Sequence, residues 1–245
     1  MNKLFLWILL IFFSVQINGQ SFEQLQQQWY NSSDLNAKIN AGIELHDKFY
    51  RQADDSITSK TKLLESLYRL SVNSKKSNGI IYSSFYLGNC YIFMNNTPMA
   101  IKYYLISLKE AERTQSKIEI ARAQMGIGLV HFTLNNFPMA MRFFKTSLAL
   151  NKQLKNEYQI SKQLYLIGFS LNSVNDFNSA RNYLDSAIAL KTKNNDTIGL
   201  FECKLALANT YKGQKNYDSA IALYRSLISK FIGLREWFPV ANIYI

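Results

Sequence analysis

Ala100, Ala140, Ala180 and Ala220 recur in one fixed register, each the fortieth position after the last, and no other feature of the chain constrains its fold as much. Twelve residues ahead of the first three stand Gly88, Gly128 and Gly168, with Ala208 in the same place ahead of the fourth. The segments leading into each alanine align without gaps: Asn95-Asn96-Thr97-Pro98-Met99-Ala100, Asn135-Asn136-Phe137-Pro138-Met139-Ala140, Asn175-Asp176-Phe177-Asn178-Ser179-Ala180 and Lys215-Asn216-Tyr217-Asp218-Ser219-Ala220. Self-similarity at a period of about 20–50 residues marks a stacked-repeat architecture, in which each copy buries its apolar face against the next.

Each aligned segment reads as a turn followed by a helix start. Asn or Asp at the second position is suited to cap the incoming helix, and Pro98 and Pro138 fall in its first turn, where proline is tolerated. Four residues past each Ala come Tyr104, Phe144, Leu184 and Tyr224, and four further on Leu108, Leu148, Ile188 and Ile228, which traces one face of a helix. The Gly and Ala positions let paired helices approach closely, and the bulky positions fill the space between them. With three prolines and ten glycines in 245 residues and little apolar–polar alternation, the expected class is all-α.

The repeats predict domains at 81–120, 121–160, 161–200 and 201–240, four copies spanning 81–240. Residues 41–80 read as a degenerate copy with helically spaced Leu63, Leu64, Leu67 and Leu70, residues 20–40 as an N-terminal cap segment, and 241–245 as the start of a truncated further repeat. Positions 1–19 have the anatomy of a signal peptide: Lys3, an apolar run from Leu4 to Phe13, then small and polar residues up to Gly19. That run is shorter than the roughly 20 residues a membrane span requires. The chain is therefore expected to be exported, to the periplasm or beyond, and to be soluble after signal cleavage.

Leu87-Gly88 with Tyr91, Ala100, Tyr104 and Ser107, and Ile127-Gly128 with His131, Ala140, Phe144 and Ser147, carry a resemblance to the tetratricopeptide repeat. Ile167-Gly168, Ala180, Leu184 and Ala187, and then Tyr211, Ala220 and Tyr224, continue it. The resemblance implies a right-handed superhelical solenoid of antiparallel helix pairs that binds proteins or peptides and is no enzyme. It departs from the family in its period, which is usually 34, so helices or loops must be longer, as in peptide-sensing regulators and in the N-terminal halves of bacterial sensor kinases, cyclases and transcription regulators. A downstream membrane helix or output domain belongs to that expectation.

The family holds peptides on the face built by the first helix of each repeat. Its second, fifth and ninth positions map here onto Tyr82, Phe85 and Asn89; Arg122, Met125 and Leu129; Lys162, Tyr165 and Phe169; and Glu202, Leu205 and Asn209. The resemblance thus implies a peptide groove of Tyr82, Phe85, Asn89, Arg122, Met125, Lys162, Tyr165 and Asn209, with Arg122 and Lys162 as paired cations facing an anionic or carbonyl-rich partner. Phe85 stands where a C-terminal carboxylate clamp needs Lys, so an amphipathic helix or extended peptide suits the groove better.

A net charge of +11 raises nucleic-acid binding as an alternative, yet Lys and Arg are scattered, with Lys75-Lys76 the only adjacent pair. A solvated basic exterior is expected, and no nucleic-acid partner; a self-assembling structural scaffold is a third reading. His131 holds a core aromatic position and is expected to be a buried, hydrogen-bonded imidazole, and Cys90 and Cys203 read as buried small hydrophobes. No nucleophile elbow, phosphate loop or ligand-spaced His/Cys/Asp/Glu set is present, so neither metal, cofactor nor catalysis is expected.

Overall fold

A computed structural model describes residues 22–51 and 57–234; the expected signal peptide and the truncated repeat at 241–245 lie outside them. All secondary structure among the described residues is helical: α1 (Phe22–Asn31), α2 (Leu35–Arg51), α3 (Ile57–Asn73), α4 (Ser77–Phe93), α5 (Thr97–Arg113), α6 (Lys117–Thr133), α7 (Phe137–Gln153), α8 (Glu157–Ser173), α9 (Phe177–Lys193), α10 (Thr197–Gly213) and α11 (Tyr217–Leu234). Helices α4, α6, α8 and α10 begin at Ser77, Lys117, Glu157 and Thr197, one period apart and each four residues ahead of the boundaries drawn at 81, 121, 161 and 201. The chain divides into two compact units between Cys90 and Tyr91.

The period of the sequence conceals one half as long. Lys75, Asn95, Gln115, Asn135, Lys155, Asn175, Asn195 and Lys215 all adopt positive φ, between 53° and 63°. Each follows a helix of 17 residues and ends it in a left-handed cap. After α4, Asn95 N donates to Ile92 O (2.9 Å) and Asn96 N to Tyr91 O (2.8 Å); after α5, Gln115 N donates to Glu112 O and Ser116 N to Ala111 O, both at 3.0 Å. This pair of bonds, one spanning three residues and one spanning five, satisfies the last carbonyls of the helix. The residue that completes it then caps the next helix: Asn96, Asn136, Asn156, Asp176 and Asp196 each accept from the backbone N–H three residues on.

Inside the second unit, Ala100, Ala140, Ala180 and Ala220 are buried, as are Tyr104, Phe144 and Leu184 four residues beyond the first three. Ile228, the last member of the apolar row, is instead exposed. The glycines mark the closest approaches. A Cβ on Gly128 would stand 2.6 Å from Phe144 Cε1, and one on Gly168 would stand 2.8 Å from Leu184 Cγ. Gly126, two residues before Gly128, lies equally tight against Tyr104 on α5, so α6 is thinned on both sides to admit one ring from each neighbouring helix. In the first unit, Leu25, Trp29, Ile39, Ala41, Leu45 and Leu67 form the core, with Trp29 lying against Gly42.

Gly128→Leu should therefore destabilise the fold by about 1–3 kcal/mol through overpacking, lowering the thermal midpoint by several degrees. An unchanged melting temperature would show that this glycine is not at a packed interface.

Candidate functional site

Equivalent positions on the first helices of the repeats do not share one environment. Of the second-position residues, Tyr82, Arg122 and Lys162 are half-buried and Glu202 is exposed. At the fifth position Phe85 and Met125 are buried, Tyr165 is half-buried and Leu205 is exposed. At the ninth, Asn89, Leu129 and Phe169 are half-buried and Asn209 is exposed. Phe85 and Met125 are therefore core residues rather than groove lining: on these helices the fifth position turns into the interior.

In the first unit, Tyr82 is held from three directions. Its hydroxyl donates to Asp47 Oδ1 at 2.5 Å, lies 2.9 Å from His46 Nδ1, and its ring packs 4.5 Å from that of Tyr86. His46, which is buried, is thus the hydrogen-bonded interior imidazole of this chain. His131 is half-buried and stacks on Phe143, centroids 5.4 Å apart and nearly coplanar at 7°, in the place where Tyr91 stacks on Tyr103 one repeat earlier. The repeat position fixes a flat ring there and does not require a hydrogen bond. Cys90 and Cys203 are both buried and unpaired, and burial pushes the Cys203 thiol up to about 12.

In the second unit the two expected cations part company. The Arg122 guanidinium is engaged by Glu119 on its own helix, Nη1 to Oε2 at 2.9 Å, the usual reach of an i,i+3 pair. Lys162 makes no hydrogen bond or ion pair within hydrogen-bonding distance among the described residues. Burial depresses its ammonium pKa, as does the positive charge of Lys191, while Glu202 pulls the other way. On the same helix Tyr165 and Phe169 follow at one-turn spacing, their rings 6.2 Å apart, and Phe132 of α6 meets Phe169 at 5.3 Å. Burial raises the Tyr165 hydroxyl to about 12, so it is a neutral donor at any physiological pH. The arrangement is a half-buried aromatic platform, with Lys162 one helical turn before Tyr165 and without a salt bridge, though in the field of Glu202. Asn209, the residue equivalent to Phe169 one repeat on, accepts at its Oδ1 from the Tyr224 hydroxyl at 2.6 Å.

Two buried polar clusters lie behind this face. Ser147 Oγ donates to Ala121 O (2.7 Å) and accepts from Gln163 Nε2 (3.0 Å), and Asn151 Nδ2 donates to Ser147 O (2.9 Å). One repeat on, the site equivalent to Asn151 is Lys191, a buried ammonium 2.7 Å from Asp196 Oδ2. Gly199 leaves the room this ammonium occupies. The hydrogen bond from Lys191, and then that from the Gly199 N–H, hold the Asp196 carboxyl below the usual carboxylate range. Sequence reading missed Lys191, although an acid five residues beyond a lysine in a core column is a visible signal.

Among the described residues no helix is long and apolar enough to cross a membrane, and no three His, Cys, Asp or Glu side chains gather as a metal site.

Asp196→Ala should cost about 3 kcal/mol, because it strands a buried ammonium, whereas Lys191→Met should be neutral or stabilising. A carboxylate whose pKa is depressed by folding contributes stability above its unfolded pKa and loses it as pH falls through the folded one. In acid below pH 3.8 the difference between wild type and Asp196→Ala should accordingly shrink; equal urea midpoints at pH 7 would contradict the pairing.

The family profile of the tetratricopeptide repeat matches residues 202–231. No curated protein matches the chain in sequence. Among solved structures, BtubC (BKLC) from P. vanneervenii aligns with a TM-score of 0.72 at 14% identity, covering 92% of both chains. A Rap protein complexed with competence and sporulation factor aligns at 0.64 and 15% identity, over 84% of this chain and 57% of that one. A signal transduction ATPase with a tetratricopeptide repeat sensor from Pyrococcus horikoshii aligns at 0.66 and 14% identity, over 83% of this chain and 31% of that one. The chain thus carries a tetratricopeptide repeat at residues 202–231 and has the fold of tetratricopeptide-repeat proteins of known structure.

Proposed function

We propose that this chain is a non-enzymatic scaffold that binds a protein or peptide, acting outside the cytoplasm as the sensor or interaction part of a larger signalling protein. Lys162 carries the reading. A half-buried ammonium without a salt-bridge partner, edging a platform of Tyr165, Phe169 and Phe132, is costly to the free chain and useful only toward an anionic or carbonyl-rich group. The likeness to a Rap protein solved with competence and sporulation factor supports the same use of this fold. Partner binding would then turn on a few anchors rather than on area.

Peptides selected from a random displayed library on the purified chain should carry an acidic residue next to apolar ones. Lys162→Met should raise the melting temperature of the free chain, since it removes a desolvated charge, and should weaken the selected peptides at least tenfold. Failure to select any peptide, or equal affinity for the variant, would sink the assignment.

The apolar run Leu4–Phe13 behind Lys3 supports export. Residues 1–30 fused to a periplasm-dependent phosphatase reporter in a bacterial host should yield active enzyme; an inactive, cytoplasmic fusion would overturn the extracytoplasmic placement.

A further inference from the structure

In the second unit, the second residue of each first helix is a large apolar side chain turned to solvent: Ile118 on α6, Tyr158 on α8 and Ile198 on α10, exposed by 53%, 57% and 62%. A single exposed apolar residue is ordinary, whereas three at one repeat position form a row. The helices bearing them are neighbours. Phe132 of α6 meets Phe169 of α8 at 5.3 Å, and Asn172 Nδ2 of α8 donates to Ala206 O of α10 at 3.0 Å. Adjacent helix axes lie about 8–10 Å apart, which sets the step of the row. Tyr158 is also supported from within, with the buried Lys191 ammonium 5.9 Å from its ring centroid.

The charge around this row is one-sided. Lys117, Lys152 and Lys155 are exposed on the same turns and make no ion pair among the described residues; Lys117 reaches only the neutral Gln153 Oε1, at 3.3 Å. Most acids of this edge are already engaged: Glu110 by Arg113, Glu119 by Arg122, Glu157 by Lys193 and Asp196 by Lys191, leaving Glu112 and Glu202 as the exposed exceptions. The N-termini of α6, α8 and α10 all end here, and each adds partial positive charge.

We propose that this edge docks an acidic amphipathic α-helix of a partner protein, with apolar residues every seventh position seated on Ile118, Tyr158 and Ile198 and acidic residues facing Lys117, Lys152 and Lys155. A seven-residue step along a helix is about 10.5 Å, close to the step of the row. An extended peptide binds through backbone hydrogen bonds, whereas a helix satisfies its backbone internally and presents side chains alone, which is what a row of apolar side chains flanked by lysines engages. Lys162 stands one helical turn beyond Tyr158 on α8, so the row adjoins the Lys162 platform, but the docking rests on the three apolar side chains and on Lys117, Lys152 and Lys155 and uses no property of Lys162.

The probe is a synthetic 21-residue helical peptide with Leu at three positions seven apart and Glu flanking them, titrated against the full chain by fluorescence polarisation. Micromolar binding that weakens with salt is expected. Ile118→Ser/Tyr158→Ser/Ile198→Ser and, separately, Lys117→Glu/Lys155→Glu should each weaken it at least tenfold with an unchanged thermal transition, while Lys145→Ser, at an exposed position of α7, leaves it intact. If the triple variant does not fold, Ile198→Lys alone serves in its place. Absence of binding, equal binding by a Lys-flanked peptide, or indifference to both sets of substitutions would overturn the proposal. So would concentration-dependent self-association abolished by the apolar substitutions, which would assign the row to a second copy of the chain.

Discussion

Everything regular in this structure depends on one three-residue turn. Two backbone bonds close each helix, a residue with left-handed backbone reverses the chain, and wherever the residue after it is Asn or Asp its side chain caps the next helix. Because the turn has the same length wherever the described chain is continuous from α3 onward, and because α2 to α10 each run 17 residues, corresponding residues fall at corresponding heights. Only then can Gly126 meet Tyr104 and Gly128 meet Phe144 on opposite sides of one helix. A turn one residue longer would rotate the following helix by about 100° and turn its apolar face away from the core.

The same regularity makes the departures informative. Within one core column the residue changes from Ala111 to Asn151 to Lys191, and the local hydrogen bonding changes with it. Lys191 finds its acid in the turn itself, so Asp196 serves two purposes, capping α10 and neutralising a buried ammonium. Lys162, near it in charge though not in contact, has no comparable partner. Interiors tolerate charge when it is paired, which is why the unpaired cation, rather than the paired one, points toward binding.

Much of the fold is legible in the sequence because close packing is encoded by residue size. The Ala column, the Gly column and the Tyr104, Phe144 and Leu184 positions must be small or large wherever the helices meet, and the capping Asn and Asp residues carry their own chemistry. The half-period is far fainter. Lys75, Gln115, Lys155 and Lys215 share a left-handed backbone with Asn95, Asn135, Asn175 and Asn195, yet no glycine marks any of these turns; the hydrogen bonds that impose the conformation belong to the backbone. The site is fainter than the fold. Lys162 and Tyr165 are half-buried on α8, while the pairing of Arg122 with Glu119 and the burial of Phe85 and Met125 depend on how far each helix is turned, which a repeat pattern shared by all copies does not specify.

The claim that the turns are closed structures rather than loops is tested most directly by residue-resolved hydrogen exchange. The amides of Asn96, Ser116, Asn136, Asn156, Asp176, Asp196 and Asn216 each donate to a carbonyl five residues back, at 2.8–3.0 Å. They should exchange as slowly as amides in the middle of the helices they follow, all seven alike. Exchange at the rate of an unstructured peptide at these positions, with the helices still protected, would contradict the account.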